Sequence, residues 1–239
     1  MVKVLVLGHS GMLGSTVCDY LRGLDDISIA TTRHRWSTDS FKTSIKNFDG
    51  DYIINCIGAI PQRTDKFQVN YELPIWLDKN VTCRVIHQDT DARREEDEYG
   101  FSKAEAARYL TMDGKRTKML KTNVIGHDKN KVCLLDWFLN SEGEVFGYTE
   151  SYSNGSTTLE WAKQIYKMMN NWERYAKCTT ISTKCISKYE LLNLFKEVYN
   201  KDIVINKKTN LQNNRCLKGQ LKVSSLKEQL EELKEFYDN

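Results

Sequence analysis

Apolar residues fall into short runs separated by stretches of helical periodicity. Val2–Leu7, Ile27–Thr31, Tyr52–Ile57, Arg84–His87, Met119–Val124 and Thr179–Ser182 read as strands. Between the second and third runs, Phe41, Ile45 and Phe48 recur at helical spacing, which predicts core positions. Strands alternating with helices predict a parallel sheet covered on both faces. Three later helices carry Ser/Thr-x-x-Glu starts, at Thr157 with Glu160, Ser187 with Glu190 and Ser225 with Glu228. The last of them spaces Leu226, Leu230, Leu233 and Phe236 for burial. Trp137 and Phe138 are predicted as core on an amphipathic helix, and the polar stretch Tyr148 to Ser156, with Gly147 and Gly155, as a loop. There is no repeat and no proline-rich linker, since Pro61 and Pro74 are the only prolines.

Composition narrows this picture. A length of 239 residues suits one domain with a small appendage, and a 40% hydrophobic content builds a sizeable core. A net charge of +3, with dispersed basic residues, argues against binding nucleic acid by counterion release. The seven cysteines are odd in number and contain no Cys-x-x-Cys pair, so neither a disulfide framework nor a zinc site is expected, and a reducing cytoplasm is the simplest location. No stretch approaches the ~20 apolar residues of a membrane span, and Val2–Leu7 is too short for a signal peptide.

Two local patterns carry candidate chemistry. Val2–Leu7 runs into Gly8-His9-Ser10-Gly11-Met12-Leu13-Gly14, where glycines leave space for a pyrophosphate and the following helix aims its amides at the anion. By itself the turn equally describes an ordinary strand-turn-helix. Downstream, Tyr99 and Lys103 stand at i and i+4 on a helix supported by Ser102–Leu110, so they share a face. A neighbouring ammonium would lower a phenol's pKa from ~10, fitting the pair to protonate a carbonyl oxygen as hydride arrives from a nicotinamide. Alone, such a pair is also found on solvated helix faces.

In their order along the chain these residues resemble the extended short-chain dehydrogenase/reductases, and within them the dTDP-4-dehydrorhamnose reductase-like sugar-nucleotide reductases. The likeness rests on the turn at 8–14, Ile54-Asn55-Cys56-Ile57-Gly58, Val69-Asn70 with Pro74, Val85-Ile86-His87 leading to Thr90-Asp91, and Tyr99-Gly100-Phe101-Ser102-Lys103. It continues through Leu135-Asp136-Trp137-Phe138-Leu139, Gly147-Tyr148-Thr149 with Thr157-Thr158-Leu159-Glu160, and Ile186-Ser187-Lys188-Tyr189. The resemblance implies an α/β fold: a Rossmann-type doubly wound parallel sheet over residues 1–126, with a small C-terminal substrate-binding part interleaved over 127–239. Residues 178–186 would return to the main sheet.

For the site, the resemblance implies Tyr99 as acid, Lys103 holding the nicotinamide ribose and depressing the tyrosine pKa, and Thr90 bonding the substrate carbonyl. Gly8, Ser10, Gly11, Met12, Leu13 and Gly14 would receive the cofactor's phosphates, and Cys56, Ile57, Gly58 and Ala59 would approach it through backbone atoms, where an ordinary buried strand end is the alternative. At the end of the second strand, Thr31-Thr32-Arg33 lacks the acid that favours NAD, and Arg33 read as a phosphate clamp favours NADPH, with NADH as the alternative.

Two departures from the family stand out. Asp89 replaces its usual serine, and only nine positions separate Thr90 from Tyr99, with the charged stretch Ala92–Glu98 where the family has a long loop that shapes the sugar site. Either the chemistry survives with a more open pocket, or Thr90 is displaced and the site is inactive. His9, His34, His87 and His127 are explained by packing or solvent exposure better than by metal binding.

The expectation is therefore an NADPH-dependent reductase of a nucleotide-linked 4-keto-6-deoxysugar, serving deoxysugar and polysaccharide synthesis in the cytoplasm. It would bind neither nucleic acid nor membrane, and could form a homodimer. Two other readings are an epimerase or dehydratase that recycles its nicotinamide, and a non-catalytic nucleotide-binding or regulatory protein.

Overall fold

In a computed structural model of the chain, which describes residues 1–209 and 211–238, the elements divide between two compact units. In chain order they begin β1 (Val2–Leu7), α1 (Met12–Arg22), β2 (Ile27–Thr31), α2 (Asp39–Lys46), β3 (Tyr52–Asn55), α3 (Val69–Asn80), β4 (Arg84–Asp89), α4 (Glu98–Met112) and β5 (Thr117–Lys121). There follow β6 (Val124–Ile125), α5 (Leu134–Asn140), β7 (Glu144–Tyr148), β8 (Ser151–Ser153), β9 (Ser156–Thr157), α6 (Thr158–Asn170) and β10 (Cys178–Thr180). The chain closes with β11 (Ile186–Ser187), α7 (Lys188–Tyr199), β12 (Val204–Lys208), β13 (Asn213–Asn214) and α8 (Leu226–Asp238).

The first unit, Met1–Lys121 with Ala162–Thr179, holds a six-stranded sheet in the order β10-β5-β4-β3-β1-β2. The pairs β1–β2, β1–β3, β3–β4 and β4–β5 are parallel. The chain leaves β1 toward one edge for β2 and then crosses to the other side for β3, so β1 and β3 flank a switch point. In such sheets the crevice at the carboxyl ends of these two strands is where ligands bind.

Alternation along the strands sends Leu5, Leu7, Ile53 and Val85 into one core cluster with Phe41 and Ile45 of α2 and Leu73 and Leu77 of α3. Phe41 and Ile45 are fully buried as the spacing requires, and Phe48 packs against the same cluster from its edge. Burying a side chain of this kind stabilises by roughly 1.5–3 kcal/mol. Pro74 lies inside α3, where it removes one backbone donor from the ladder. Elsewhere in this unit, the Tyr52 hydroxyl donates to the Met169 carbonyl at 2.9 Å, tying β3 to the helix segment 162–170.

The second unit, Thr122–Trp161 with Thr180–Asn239, contains the small sheets β11-β8-β13, β12-β7 and β6-β9. Its helices start where the sequence places their caps. Ser187 and Glu190 form a reciprocal capping box on α7, Ser225 and Glu228 exchange the same pair of bonds ahead of α8, and Thr157 accepts from Glu160 N at 3.2 Å. Leu226, Leu230 and Leu233 are buried.

Four sequence expectations need correction. Cys185 and Cys216 are joined in a disulfide, although an odd cysteine count without a Cys-x-x-Cys pair argues for none; count and spacing do not report the partners that folding brings together. Trp137 is 42% exposed although its neighbour Phe138 is fully buried, because adjacent positions on α5 point about 100° apart. The stretch Tyr148–Ser156 is not a plain loop: it contains β8 and the start of β9, whose polar residues pair in small sheets. The run Met119–Val124 is broken, since β5 ends at Lys121 and β6 begins at Val124.

Candidate active site at the β1–β3 switch point

At the carboxyl end of β1 the backbone turns through Gly8 in a left-handed conformation, φ +77°, which excludes most side chains. The Gly11 amide donates to the Gly8 carbonyl at 2.9 Å, and α1 starts at Met12. Gly14 is required by packing, since a Cβ there would lie 2.1 Å from the Gly8 carbonyl oxygen. Gly11 is different. A Cβ there would meet only Gly8 O, at 3.4 Å, so nothing in the protein forbids one. Its backbone, φ −83° and ψ 169°, is also ordinary. Gly11 is the N-cap of α1, no side chain caps this helix, and its first turn carries no acid. Its first amides are thus left for an outside acceptor, in a cradle that a side chain would fill. Ser10 is exposed beside this turn, Met12 is half-buried and Leu13 is buried in it.

The segment after β3 lies against the turn: a Cβ on Gly8 would come within 3.0 Å of the Cys56 carbonyl and the Ile57 nitrogen. Two buried asparagines shape it. Asn55 Oδ1 accepts from Ile57 N at 3.1 Å while Asn55 Nδ2 lies 3.1 Å from His87 Nδ1. Burial, helped by Lys103, holds His87 well below the usual imidazole range, so the ring is neutral and its Nδ1 accepts. Asn70 of α3 accepts from Ala59 N at 2.8 Å and returns a bond to Ala59 O at 3.0 Å; it also donates to Ser102 Oγ, which in turn donates to the Tyr99 carbonyl at 2.7 Å. One amide therefore couples the β3 loop to the first turns of α4. Gly58 is exposed, and a Cβ there would lie 3.7 Å from Lys103 Nζ. Arg33 is exposed in the loop after β2, the strand next to β1.

Tyr99 and Lys103 both lie on α4, whose start is fixed by Asp97, with Oδ1 accepting from Gly100 N at 2.7 Å. The short link ahead of this helix folds tightly onto it. A Cβ on Gly100 would sit 2.0 Å from the Arg93 carbonyl oxygen, and Arg94 pairs with Glu105 at 3.0 Å while lying 4.9 Å from the Phe101 ring centroid. The link does not displace Thr90, which is buried with its hydroxyl hydrogen-bonded to that of Tyr99. The Tyr99 ring stands edge-on to Phe67, centroids 5.8 Å apart.

Electrostatics correct one expectation. Lys103 is not the charge that governs Tyr99. Burial pushes the phenol's pKa up; the Thr90 hydrogen bond opposes this, and the Asp91, Asp89 and Asp97 carboxylates add to it. Lys103 is 4% exposed, and its ammonium donates to Gln88 O at 3.2 Å and Gln88 Oε1 at 3.3 Å. Burial brings it down to about 8, against the pull of Asp89. Asp89, where the family has serine, is buried beside Lys121 Nζ at 3.4 Å. In this form of the protein Tyr99 therefore keeps its proton across the neutral range, the state a proton donor needs.

The residues expected at the site thus gather in this one unit: the turn at 8–14 and segment 56–59 in contact, with Lys103 near Gly58 and Thr90 bonded to Tyr99. The sequence reading does not single out Gln88, Ser102 or Asp97. A visible signal exists for Gln88, since a polar side chain is out of place in the middle of a parallel sheet.

The chain has the Rossmann-type α/β fold. No family model matches it and no curated protein matches it. Solved structures do. A dTDP-4-dehydrorhamnose reductase from Clostridium acetobutylicum superposes with a TM-score of 0.74 at 16% identity, covering 99% of this chain and 100% of that one. The dTDP-4-dehydrorhamnose reductase of Bacillus anthracis, solved with NADP, gives 0.73 at 13% identity over 100% and 99%. A dTDP-glucose 4,6-dehydratase from the same organism, solved with NAD, gives 0.75 at 13% identity over 100% and 97%. At such identities the likeness is one of fold, extending over both units.

Proposed function

We propose that this protein is an NADPH-dependent reductase of the short-chain dehydrogenase/reductase type, acting on the 4-keto group of a nucleotide-linked 4-keto-6-deoxysugar. The observation that carries this reading is the hydrogen-bonded Thr90–Tyr99 pair on the unit whose bare, uncapped turn at Gly11 suits a dinucleotide pyrophosphate. The turn from Gly8 to Gly14 would hold the phosphates, segment 56–59 would lie along the nicotinamide half, and Arg33 would bind the 2′-phosphate that distinguishes NADPH from NADH.

The bound dinucleotide supplies the hydride. Tyr99, protonated, gives its proton to the carbonyl oxygen as the carbon is reduced, which leaves an alcohol and a phenolate that regains a proton from solvent. Thr90 donates a hydrogen bond to that same oxygen and orients it. Lys103 offers an N–H to a ribose hydroxyl. The similarity to reductases of dTDP-linked sugars favours that nucleotide class, and the supply of NADPH favours a cytoplasmic setting. Among the described residues no helix is long and apolar enough to cross a membrane.

The test is incubation with a panel of nucleotide-linked 4-ketosugars and NADPH. Stoichiometric, ketosugar-dependent oxidation of NADPH is expected. Conversion of the sugar without net oxidation would assign the chain to the epimerases or dehydratases, and dinucleotide binding without turnover to the non-catalytic reading.

A further inference from the structure

The middle strands of a parallel sheet, covered on both faces, are ordinarily apolar throughout. β4 lies between β3 and β5, yet after Val85 and Ile86 it continues His87-Gln88-Asp89. Each of these side chains has a dedicated partner: His87 with Asn55, Asp89 with Lys121, Gln88 with Lys103. Only the Gln88 contact reaches one of the two residues on which the proposed chemistry depends.

The geometry fixes how the Gln88 amide is turned. Its Nε2 donates to the Asp89 carbonyl at 2.7 Å, which leaves Oε1 directed at Lys103 Nζ, while the Gln88 carbonyl accepts from the same ammonium. Two of the three N–H groups of Lys103 are thereby used by one residue, and the third remains for a ligand hydroxyl. The other charged or titratable groups facing this ammonium are Asp89 and His87 on β4 and Cys56 after β3.

We propose that Gln88 is the positioning residue for Lys103, a half-buried amide that holds the ammonium beside Gly58 and keeps it charged where the ribose of a bound dinucleotide would take the third N–H. This rests on the reductase reading for its purpose, though not for its test. An acceptor bonded to the charged form favours that form, so Gln88 offsets part of the desolvation that brings Lys103 down to about 8.

The experiment compares the parent protein with Gln88→Leu and Gln88→Glu, following the Lys103 side chain by NMR of lysine labelled at Cε, without ligand, from pH 6 to 11. Lys103→Met identifies the resonance. The expected midpoint moves to lower pH in Gln88→Leu and to higher pH in Gln88→Glu. In a parallel fluorescence titration of NADPH, the loss of affinity at alkaline pH follows the same two shifts. A Lys103 midpoint that stays within about 0.3 units in both variants overturns the assignment, as does NADPH affinity whose pH dependence ignores the midpoint. A parent protein that binds no dinucleotide overturns the reductase reading instead, and the NMR titration still decides the role of Gln88.

Discussion

The hydroxyls of Thr90 and Tyr99 are hydrogen-bonded to each other although the chain between them is a short, charged link. The contact joins the strand end to the first turn of α4, which residues of the link itself hold in place. Asp97 caps that turn, and Gly100 lets it close onto the Arg93 carbonyl.

If Tyr99 is the proton donor, Tyr99→Phe leaves NADPH affinity unchanged and lowers turnover roughly 10²- to 10⁴-fold. Single-turnover kinetics beside a binding titration separate the two effects. An active parent enzyme indifferent to this change would rule out the mechanism.

The two glycines of the turn have separable roles. Gly11→Ala places its Cβ where the protein offers only a 3.4 Å contact, so stability changes by at most about 1 kcal/mol while dinucleotide binding falls at least tenfold. Gly14→Ala drives a Cβ into the Gly8 carbonyl and lowers the thermal midpoint whether or not cofactor is present. Thermal melts with and without NADPH measure both, and a Gly11→Ala variant that binds as well as the parent would make the turn purely structural.

Arg33→Ala weakens NADPH by about 1–3 kcal/mol, the value of a charge-assisted phosphate contact, and leaves NADH nearly unaffected. Calorimetry with both cofactors checks this; equal losses would remove Arg33 from the phosphate site.

Lys103 makes stability depend on pH with a definite sign. With its pKa brought from 10.5 to about 8 by burial, the folded state binds fewer protons than the unfolded chain between those values. Stability contributed at this site therefore rises from pH 8 toward 10.5, and below 8 the buried charge is a full cost. Relative to the parent, Lys103→Met should fare best near pH ~6.5 and lose ground by pH ~10, by on the order of 2–3 kcal/mol. Urea denaturation at the two pH values gives the difference; a pH-independent gap contradicts the buried charge.

The Cys185–Cys216 disulfide closes a segment with a sequence separation of 31, and such a loop constrains the unfolded chain by roughly 3–4 kcal/mol. Replacing both cysteines with serine should lower stability by an amount of that order, and reductant should then have no further effect. Denaturation of the parent with and without dithiothreitol provides the comparison.

Local rules made much of this legible in advance. Val2–Leu7 and Ile27–Thr31 stand as strands with the boundaries read from their apolar runs, and the Ser187, Ser225 and Thr157 caps form because the hydroxyl and the amide it receives are three residues apart. What depends on distant partners was hidden. Nothing in the sequence near Lys103 says that its ammonium will find Gln88, fifteen residues earlier, or that three carboxylates will face Tyr99. The exposure of Trp137 and the pairing of Cys185 with Cys216 are set by tertiary neighbours in the same way.

The division of the chain carries a consequence for biosynthesis. The first unit takes its last helix segment and an edge strand from residues 162–179, and the Tyr52 hydroxyl finds its acceptor only at Met169. A nascent chain ending at Lys121 has five of the six strands, but the Tyr52 hydroxyl still lacks its acceptor and one edge of the sheet lacks its last strand. The glycine turn and Tyr99 emerge from the ribosome early, yet the sheet beneath them cannot be completed until most of the polypeptide has been made. Truncation after β5 should accordingly yield an aggregation-prone fragment with an open sheet edge, not a minimal nucleotide-binding domain.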